Sequence, residues 1–354
     1  MSLEAPPIPR AGGTISVGVI GIGFGQHVHV PALRSDPRCV VTAICASSLE
    51  RARKVADGLQ IPRAYGDARA LIEDPQIEAV SIAVPPDHQP ALIEAAAAAG
   101  KHVFCEKPVG ADLQGVARAH KAVQLAKVTH AVDFMFPEIP AWQRARELLT
   151  SGSLGRLRHV AVSWHVEIYA YRMGLTDSWK IRSAGGGGTL NAFGSHSFYS
   201  IEWFLGRIAR MAAHLSPPPS ADRSEARVHC WLEMESGTPV SLSLAADTFL
   251  GGGHRLEFYG ENGTLILSNA TADYVNGFEL LLGTRTDLEL VPLIRQGTAT
   301  GDGRITAVAR IMQRFLDGIV QRNAVIPGMA EGLRVQSLLD AARRADRAGQ
   351  WQNV

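Results

Sequence analysis

The sequence predicts an α/β protein in two parts. Apolar runs alternate with helical patterns up to about residue 134, which is typical of a parallel sheet covered by helices. From residue 135 to 354, longer strand-like runs follow one another, and several of them alternate apolar and polar residues. This second pattern predicts an α+β domain with a large, mostly antiparallel, open sheet. The length of 354 residues agrees with about two domains.

The first part contains β-branched apolar runs separated by helices and turns. The predicted strands are Ile15–Ile20, Val40–Ala46, Ala79–Val84 and Val103–Cys105, followed by His130–Phe136. The predicted helices are Leu49–Gly58, Ala68–Ile72, Pro90–Ala99 and Leu113–Ala126. This alternation requires right-handed crossovers between parallel strands. Residues 1–14, which contain Glu4 and three prolines, are predicted to be a flexible arm and not a signal peptide.

The second part begins with a predicted helix at Trp142–Thr150. The predicted strands are Leu157–Glu167, Arg210–Leu215, Arg227–Glu233, Val240–Asp247, Arg255–Tyr259, Thr264–Leu267, Phe278–Leu282 and Leu288–Val291. Loops are predicted at "SPPPSAD" and "GTATGDG", and two helices, Ile305–Arg322 and Met329–Gly349, are predicted to close the chain.

Composition excludes several classes of partner. The net charge is +1 without a basic stripe, so neither nucleic acid nor an anionic membrane is an expected partner. No apolar run is long enough to span a bilayer. The four cysteines lack CxxC spacing and are predicted to be buried, reduced thiols of a cytoplasmic protein. The 12 histidines form no HExxH motif, and no metal site is predicted.

A glycine-rich turn follows the first predicted strand in "GVIGIGFGQHVHV". Gly21 and Gly23 supply a tight turn and the bare backbone that a pyrophosphate can approach, as in a dinucleotide-binding Rossmann unit. In the usual GxGxxG spacing the third glycine would fall at Gln26, but Gly25 lies one position early, so the helix is expected to begin differently. The backbone N–H groups expected to face the phosphates are those of Ile22, Gly23, Phe24, Gly25 and Gln26.

The end of the second predicted strand indicates which nucleotide is bound. NAD sites usually place an acid there for the ribose 2′-hydroxyl, whereas this chain has Ala46, Ser47 and Ser48. A 2′-phosphate could be held by both hydroxyls, the next helix N-terminus and Arg51, so NADP is favoured over NAD. The alternative is that the two serines only cap the helix.

The segment "AAGKHVFCEKP" places Glu106 and Lys107 just after a short apolar strand. In an open parallel sheet, the carboxyl end of a strand faces the ligand crevice. A lysine there can have its pKa shifted by burial and by a nearby positive charge, as general acid–base catalysis requires. The alternative is a surface Glu–Lys pair before a proline turn.

Together with "SIAVPPDHQPALIEAAAAAGKHVFCEKP", "GSLGRLRHV" and "GGGGTLNAFGSH", these motifs resemble the glucose–fructose oxidoreductase, inositol dehydrogenase and MocA family. The resemblance covers most of the chain from Ile15 onward. It implies that Pro85 and Pro86 lie beside the nicotinamide ribose, that Glu106 binds a ribose hydroxyl and that Lys107 lies near the reacting carbon. His88 matches the family spacing for a cofactor contact, or makes a structural hydrogen bond.

The same resemblance implies a substrate site around "SWKIRSAGGGGTLNAFGSH". His196 matches the family histidine that meets the lysine across the cleft, but Ala192 occupies the position of its usual acid partner. Further departures are Tyr199, where the family has a second acid, and Pro137, where it has arginine. The residues expected to contact substrate are Lys180, Asn191, His196, Tyr199 and His165. Asn191, Tyr199 or His165 is expected to substitute in part for the missing acid. Lys180 and Arg182 are equally compatible with solvated loop charges, and His196 with a core histidine.

The expected function is NAD(P)-dependent hydride transfer to or from a hydroxyl or carbonyl carbon of a sugar, polyol, inositol or related small molecule. Lys107 and His196 are both expected to hydrogen-bond the reacting oxygen. One of them donates or removes the proton, and Lys107 is favoured over His196 for this role. Two alternatives stay open: an enzyme that recycles a tightly bound nucleotide, and a cofactor-binding protein with a sensing or assembly role. The resemblance also implies a homodimer or homotetramer formed through the open sheet face.

Overall fold

The computed structural model describes residues 13–218, 220–287, 289–295 and 301–354. The predicted arm therefore lies almost wholly outside the described residues, as does most of the predicted "GTATGDG" loop. Contacts divide the chain into two compact units, Met1–Met135 with Arg304–Gln336, and Phe136–Gly303 with Ser337–Val354. The return of residues 304–336 to the first unit is not apparent from the sequence pattern.

The first unit contains a six-stranded sheet in which every pair of neighbours is parallel. Its strands are β1 Ile15–Ile20, β2 Cys39–Cys45, β3 Arg63–Tyr65, β4 Ala79–Ile82, β5 His102–Cys105 and β6 His130–Val132, in the order β3-β2-β1-β4-β5-β6. The helices between them are α1 Val30–Arg34, α2 Leu49–Leu59, α3 Ala68–Glu73, α4 Gln89–Ala98 and α5 Leu113–Ala126. This confirms the predicted Rossmann domain. Its order reverses between β1 and β4, the position where such sheets bind ligands.

Two predicted strands of this sheet end earlier than expected. The strand predicted to reach Val84 ends at Ile82, and the one predicted to reach Phe136 ends at Val132, before a 3-10 turn at Phe136–Glu138. The residues after β4, Ala83 and Val84, are apolar and half-buried, and those after β6, at 133–136, are buried and apolar except for Asp133. Apolar residues outside a sheet produce the same sequence signal as a strand. The sequence did not predict β3, which has three half-buried residues and therefore no periodicity.

The second unit contains a nine-stranded sheet. Its strands are β7 Leu157–His165, β8 Ile208–Leu215, β9 Arg227–Met234, β10 Pro239–Ala245, β11 Gly253–Gly260, β12 Gly263–Asn269, β13 Glu279–Thr284, β14 Val291–Ile294 and β15 Gln352–Asn353, in the order β14-β13-β12-β11-β7-β10-β9-β8-β15. β7 and β10 pair in parallel and the other neighbours are antiparallel. The predicted antiparallel character is confirmed. The strand predicted at Leu288–Val291 lies instead at Val291–Ile294, and Leu288 is outside the described residues.

Three helices of the second unit are α6 Pro140–Thr150, α7 Tyr169–Arg172 and α8 Ser195–Leu205, and the chain closes with α9 Gly303–Gln321 and α10 Met329–Ala348. One face of the sheet is buried and the other is open. On β9, for example, Val228, Cys230 and Leu232 are buried while Trp231 between them is 64% exposed.

All four cysteines are free and buried, as predicted. Among the described residues, none of the helices combines the length and the apolarity needed to cross a bilayer.

Candidate active site

The turn after β1 requires glycine at Gly21. Its φ is +111°, and an added Cβ would lie 2.1 Å from the carbonyl oxygen of Ala83. A Cβ at Gly23 would meet nothing within 4 Å. The backbone at Gly23 is therefore open to a close ligand, as a bound pyrophosphate requires.

Gly25 takes the packing role that the third glycine has in the usual spacing. A Cβ there would lie 3.0 Å from Cγ1 of Val19 on β1 and 3.4 Å from Cβ of Ala83. The helix begins as a π-helical turn, Gly25–His29, before α1. A π turn has a wider hydrogen-bonded ring than an α turn, and such turns are frequent at functional sites. This turn is the different helix start that the early glycine predicted.

The loop after β2 brings its polar groups together. Ser48 is the N-cap of α2, and its side chain accepts a hydrogen bond from the backbone N–H of Arg51. The Arg51 guanidinium donates to Oγ of Ser47 over 2.8 Å. The capping role of Ser48 is thus observed, while Ser47 and Arg51 form an exposed, cationic group beside the same helix N-terminus.

Residues after β4 form the next part of the crevice edge. Pro85 is half-buried, Pro86 is buried, and the backbone N–H of His88 donates to the Pro85 carbonyl. His88 itself is largely exposed and lies at the N-cap of α4, 3.7 Å from the carboxylate of Asp87. Its predicted cofactor contact stays a prediction.

The Glu106–Lys107–Pro108 segment follows β5 directly. Lys107 is half-buried, and its backbone N–H lies 3.2 Å from Oε2 of Glu106. The buried amide of Gln89, in the first turn of α4, donates to the Pro108 carbonyl over 2.8 Å. These two hydrogen bonds fix the segment at the carboxyl end of the sheet.

A buried cluster of charged groups lies behind Glu106. Nε2 of His29 is 3.1 Å from Oε1 of Glu106 and 3.7 Å from Oδ2 of Asp133, which follows β6. Nδ1 of His29 is 2.8 Å from Oγ of Ser81 on β4. His29 and Ser81 are fully buried, and Asp133 is 2% exposed. Their ligand atoms lie close enough to hold a metal ion, but one imidazole between two carboxylates also forms a charge-balanced hydrogen-bonded group without one.

The three ionisable groups of this cluster shift one another's pKa. Burial opposes protonation of His29, but the two carboxylates outweigh it and raise its pKa to about 9. Burial and the neighbouring Glu106 raise the pKa of Asp133 to about 7. Burial alone would raise the pKa of Glu106, but His29 and Lys107 lower it overall. The cluster therefore favours an ionised Glu106 beside a protonated His29.

Sequence reasoning did not assign roles to His29, Ser81 or Asp133. Asp133 had a usable signal, because an isolated acid inside the apolar run "HAVDFMF" must find a partner when it is buried. Its partner could not be identified, since His29 is 104 residues away in sequence and only the sheet order brings the two together.

In the second unit, His196 lies in the first turn of α8, immediately after another π-helical turn, Leu190–Gly194. It is 7% exposed, and its ring packs edge-on against Phe136 with centroids 4.7 Å apart. Trp164 is stacked between Phe193 and His254 on the same side of the sheet, 6.2 Å from the His196 ring. His196 is thus, like His254, a polar member of an aromatic cluster.

The amide of Asn191 is engaged within the protein. Its Oδ1 accepts from Nη2 of Arg343 over 2.6 Å, and its Nδ2 donates to the Gly186 carbonyl over 2.8 Å. Glu225 accepts from the backbone N–H of Leu190 and has its pKa raised by burial. Asn191 and Glu225 therefore hold the glycine-rich segment and the π turn in place. The sequence did not single out Glu225 or Arg343.

The other predicted substrate residues lie in different surroundings. Tyr199 is buried on α8, Ala192 is half-buried in the π turn, and Lys180 and Arg182 are exposed. His165 hydrogen-bonds Ser243 on the open face of the sheet, opposite to the face on which Trp164 packs. This placement argues against His165 as the substitute for the missing acid, because adjacent strand residues point to opposite faces.

Comparisons with known proteins agree with this geometry. The model of the GFO/IDH/MocA oxidoreductase family with an NAD-binding Rossmann fold matches residues 15–134, and the GFO/IDH/MocA C-terminal domain matches residues 142–266. An uncharacterized oxidoreductase of Synechocystis sp. is 31% identical, over 96% of each chain. A D-xylose 1-dehydrogenase (NADP(+)) of Haloferax volcanii is 30% identical over 65% of this chain and 69% of its own.

Solved structures share the fold. Levoglucosan dehydrogenase in complex with NADH and levoglucosan superposes with a TM-score of 0.87 at 21% identity, over 96% of this chain and 99% of that one. The glycine turn, the Glu–Lys–Pro segment and the two matched domains together lead to one conclusion: the chain belongs to the GFO/IDH/MocA family of oxidoreductases.

Proposed function

We propose that this protein is an NAD(P)-dependent dehydrogenase that acts on a hydroxyl or carbonyl carbon of a sugar, polyol, inositol or related derivative. The observation that carries the proposal is the position of Lys107. This residue is half-buried at the carboxyl end of β5, and β5 neighbours β4, where the strand order reverses from β1. Relatives named D-xylose 1-dehydrogenase and levoglucosan dehydrogenase support the substrate class.

The residues present fit a nicotinamide nucleotide. The turn has no Cβ at Gly21 and open space at Gly23, where the pyrophosphate must approach. When bound, the nicotinamide supplies hydride acceptance or donation. Nζ of Lys107 takes the proton of the substrate hydroxyl during oxidation and returns it during reduction, so hydride and proton both balance.

His196 is the second group that we propose for the substrate oxygen. Its neutral or protonated ring can donate a hydrogen bond to that oxygen, and its aromatic surroundings exclude water from one side of the imidazole. The usual acid partner is absent at Ala192. Packing against Phe136 and Trp164 contributes to the orientation of the ring.

For the nucleotide, we propose a preference for NADP. Ser47, Ser48 and Arg51 present hydroxyl and cationic groups after β2, without a carboxylate among residues 46–48 to repel a 2′-phosphate. The NADP(+)-named relative from Haloferax volcanii supports this preference, whereas the levoglucosan dehydrogenase complex contains NADH.

We also propose that a second copy of the chain covers the open sheet face, giving a homodimer or homotetramer. Exposed Trp231 lies on this face, flanked along β9 by His229 and Glu233. The support for this proposal is a large apolar side chain, 64% exposed on the sheet face through which the resemblance implies an oligomer. Free, buried thiols support a reducing compartment, and we propose the cytoplasm.

The test of the function is a panel of aldoses, polyols, inositols and anhydrosugars, each assayed with NADP(H) and NAD(H) at the NAD(P)H absorbance. Steady nucleotide consumption with one substrate class supports the dehydrogenase. Product formation from tightly bound nucleotide without net redox change would instead indicate internal recycling. Nucleotide binding without chemistry across the whole panel would favour a sensing or assembly role.

A further inference from the structure

His29 connects the glycine-rich turn to the Glu106–Lys107 segment. It is the last residue of the π turn that begins at Gly25. Its ring is fully buried and nearly perpendicular to the rings of Phe24 and Phe104, at centroid distances of 5.4 and 5.3 Å. A histidine placed among aromatic rings in this way has few alternative rotamers. Its two nitrogens therefore point in fixed directions.

The two ring nitrogens contact different strands. Nδ1 lies 2.8 Å from Oγ of Ser81 on β4, and Nε2 lies 3.1 Å from Oε1 of Glu106 after β5. The serine orients the imidazole, so the nitrogen facing the carboxylate cannot rotate away without losing a buried hydrogen bond. A buried polar group that loses its partner destabilises the folded state, and this cost maintains the orientation of the ring.

Glu106 links the fixed imidazole of His29 to Lys107. One of its carboxylate oxygens faces His29, and the other accepts the backbone N–H of Lys107 at 3.2 Å. The carboxylate is therefore engaged on both sides within the protein, and its side chain is 15% exposed. Such a group suits a positioning role at least as well as the predicted contact with a ribose hydroxyl.

Charge makes His29 difficult to replace. Glu106 and Asp133 are both next to it, and Oδ1 of Asp133 is buried without a hydrogen-bond partner among the described residues. Two buried carboxylates without a cation between them repel each other and favour uptake of a proton. The proton would go first to Asp133, whose pKa is already raised, and Glu106 would lose the cation that holds its carboxylate in place.

We infer that His29 is a positioning residue of the active site: it holds the Glu106 carboxylate against the Lys107 peptide and so fixes the lysine in place. This inference rests on the proposed role of Lys107 in proton transfer. It assigns to the helix after the glycine turn a second role besides binding phosphate.

The test compares His29→Leu, which removes the hydrogen bond and the charge, with His29→Gln, whose amide can still donate to Glu106. The control is His102→Leu, because His102 is also a buried histidine of the first unit but accepts from the Thr129 backbone. The first readout needs no substrate. It is acetylation of Lys107 in the whole protein by acetic anhydride, quantified by peptide mass spectrometry relative to exposed Lys54.

In His29→Leu we expect Lys107 labelling to rise at least about threefold, because Glu106 is no longer held against the Lys107 peptide and its negative charge no longer favours the ammonium form as strongly. The increase should be smaller in His29→Gln and absent in His102→Leu. Wild-type labelling in His29→Leu would overturn the inference. So would a rise in wild-type melting temperature with Mn²⁺ or Zn²⁺ that Asp133→Asn abolishes, because the cluster would then be a metal site.

The second readout is steady-state kinetics with the best substrate of the panel. His29→Leu should lower kcat by about 10- to 100-fold, as a misplaced catalytic group does, with a much smaller change in KM for the nucleotide. His29→Gln should recover part of kcat. If Lys107→Ala keeps its turnover, the proposed function is wrong. If Lys107→Ala is inactive but His29→Leu is fully active, only the positioning role of His29 is wrong.

Discussion

Nη1 of Arg51 lies 2.8 Å from Oγ of Ser47, so a cation and a hydroxyl are paired at the end of β2. We expect NADP(H) to bind more tightly than NAD(H), and Arg51→Leu to weaken NADP(H) by about tenfold, or about 1.4 kcal/mol, with little effect on NAD(H). Calorimetry with all four nucleotides checks this, and Arg53→Leu, another exposed arginine of α2, is the control. A wild-type protein that binds NADH ten times more tightly than NADPH would contradict the prediction.

Lys107→Ala should abolish turnover without lowering the melting temperature much, because the side chain is half-buried and lies outside the core. Lys107→Arg should also be inactive, since arginine remains protonated at any working pH and cannot exchange a proton. Rates with the panel substrate and thermal melting measure both effects, and Lys54→Ala is the control. Near-wild-type rates in Lys107→Arg would show that the lysine acts only through its charge.

His196→Ala should reduce kcat by about 100-fold or more, the contribution expected of a positioned acid–base or hydrogen-bonding group. Ala192→Asp should shift the pH optimum upward, because a neighbouring carboxylate stabilises the imidazolium form. Ala192→Asn, of equal size but uncharged, is the matched control for pH–rate profiles. Unchanged turnover in His196→Ala would mean that the histidine is structural.

Stability should decrease as pH rises toward 9. The pKa of His29 is raised from 6.5 to about 9. Its contribution to the free energy of unfolding is therefore complete below about pH 6.5 and is lost as the pH rises through about 9. The pKa of Asp133 is raised from 3.8 to about 7, so the folded state binds this proton more tightly than the unfolded chain. Asp133 therefore also lowers the stability as the pH rises, but between about pH 4 and 7. Urea unfolding against pH should therefore show a downward slope above neutrality that is reduced in His29→Gln. An unchanged slope in that variant would assign the dependence to other groups.

Trp231→Glu should convert the wild-type oligomer to a smaller species, because it places a charge on the open sheet face that we propose a second copy covers. Light scattering after size exclusion measures the mass. Leu125→Glu on α5 is the control, since both side chains are 64% exposed in the single chain. A monomeric wild-type protein, or an oligomer that Trp231→Glu leaves intact, would exclude this interface.

The sequence by itself determined the two-part α/β fold and the nucleotide-binding strand, turn and helix. Strand and helix periodicity are local properties, and Gly21, Gly23 and the Glu106–Lys107 pair lie in contiguous motifs whose chemistry depends on neighbours in the chain. The shift of the third glycine was also visible in the sequence. Only the structure showed that a π turn accommodates it and that Gly25 packs against Val19.

Tertiary structure alone decided which polar groups meet. His29, Ser81, Glu106 and Asp133 come from four separate segments, and they converge because β4, β5 and β6 are neighbours in the sheet. Likewise, His165 and Trp164 are adjacent in sequence but lie on opposite faces of β7. Local patterns indicate which residues are buried, but the partner of a buried charge is set by strand order and register, which connect residues far apart in the chain.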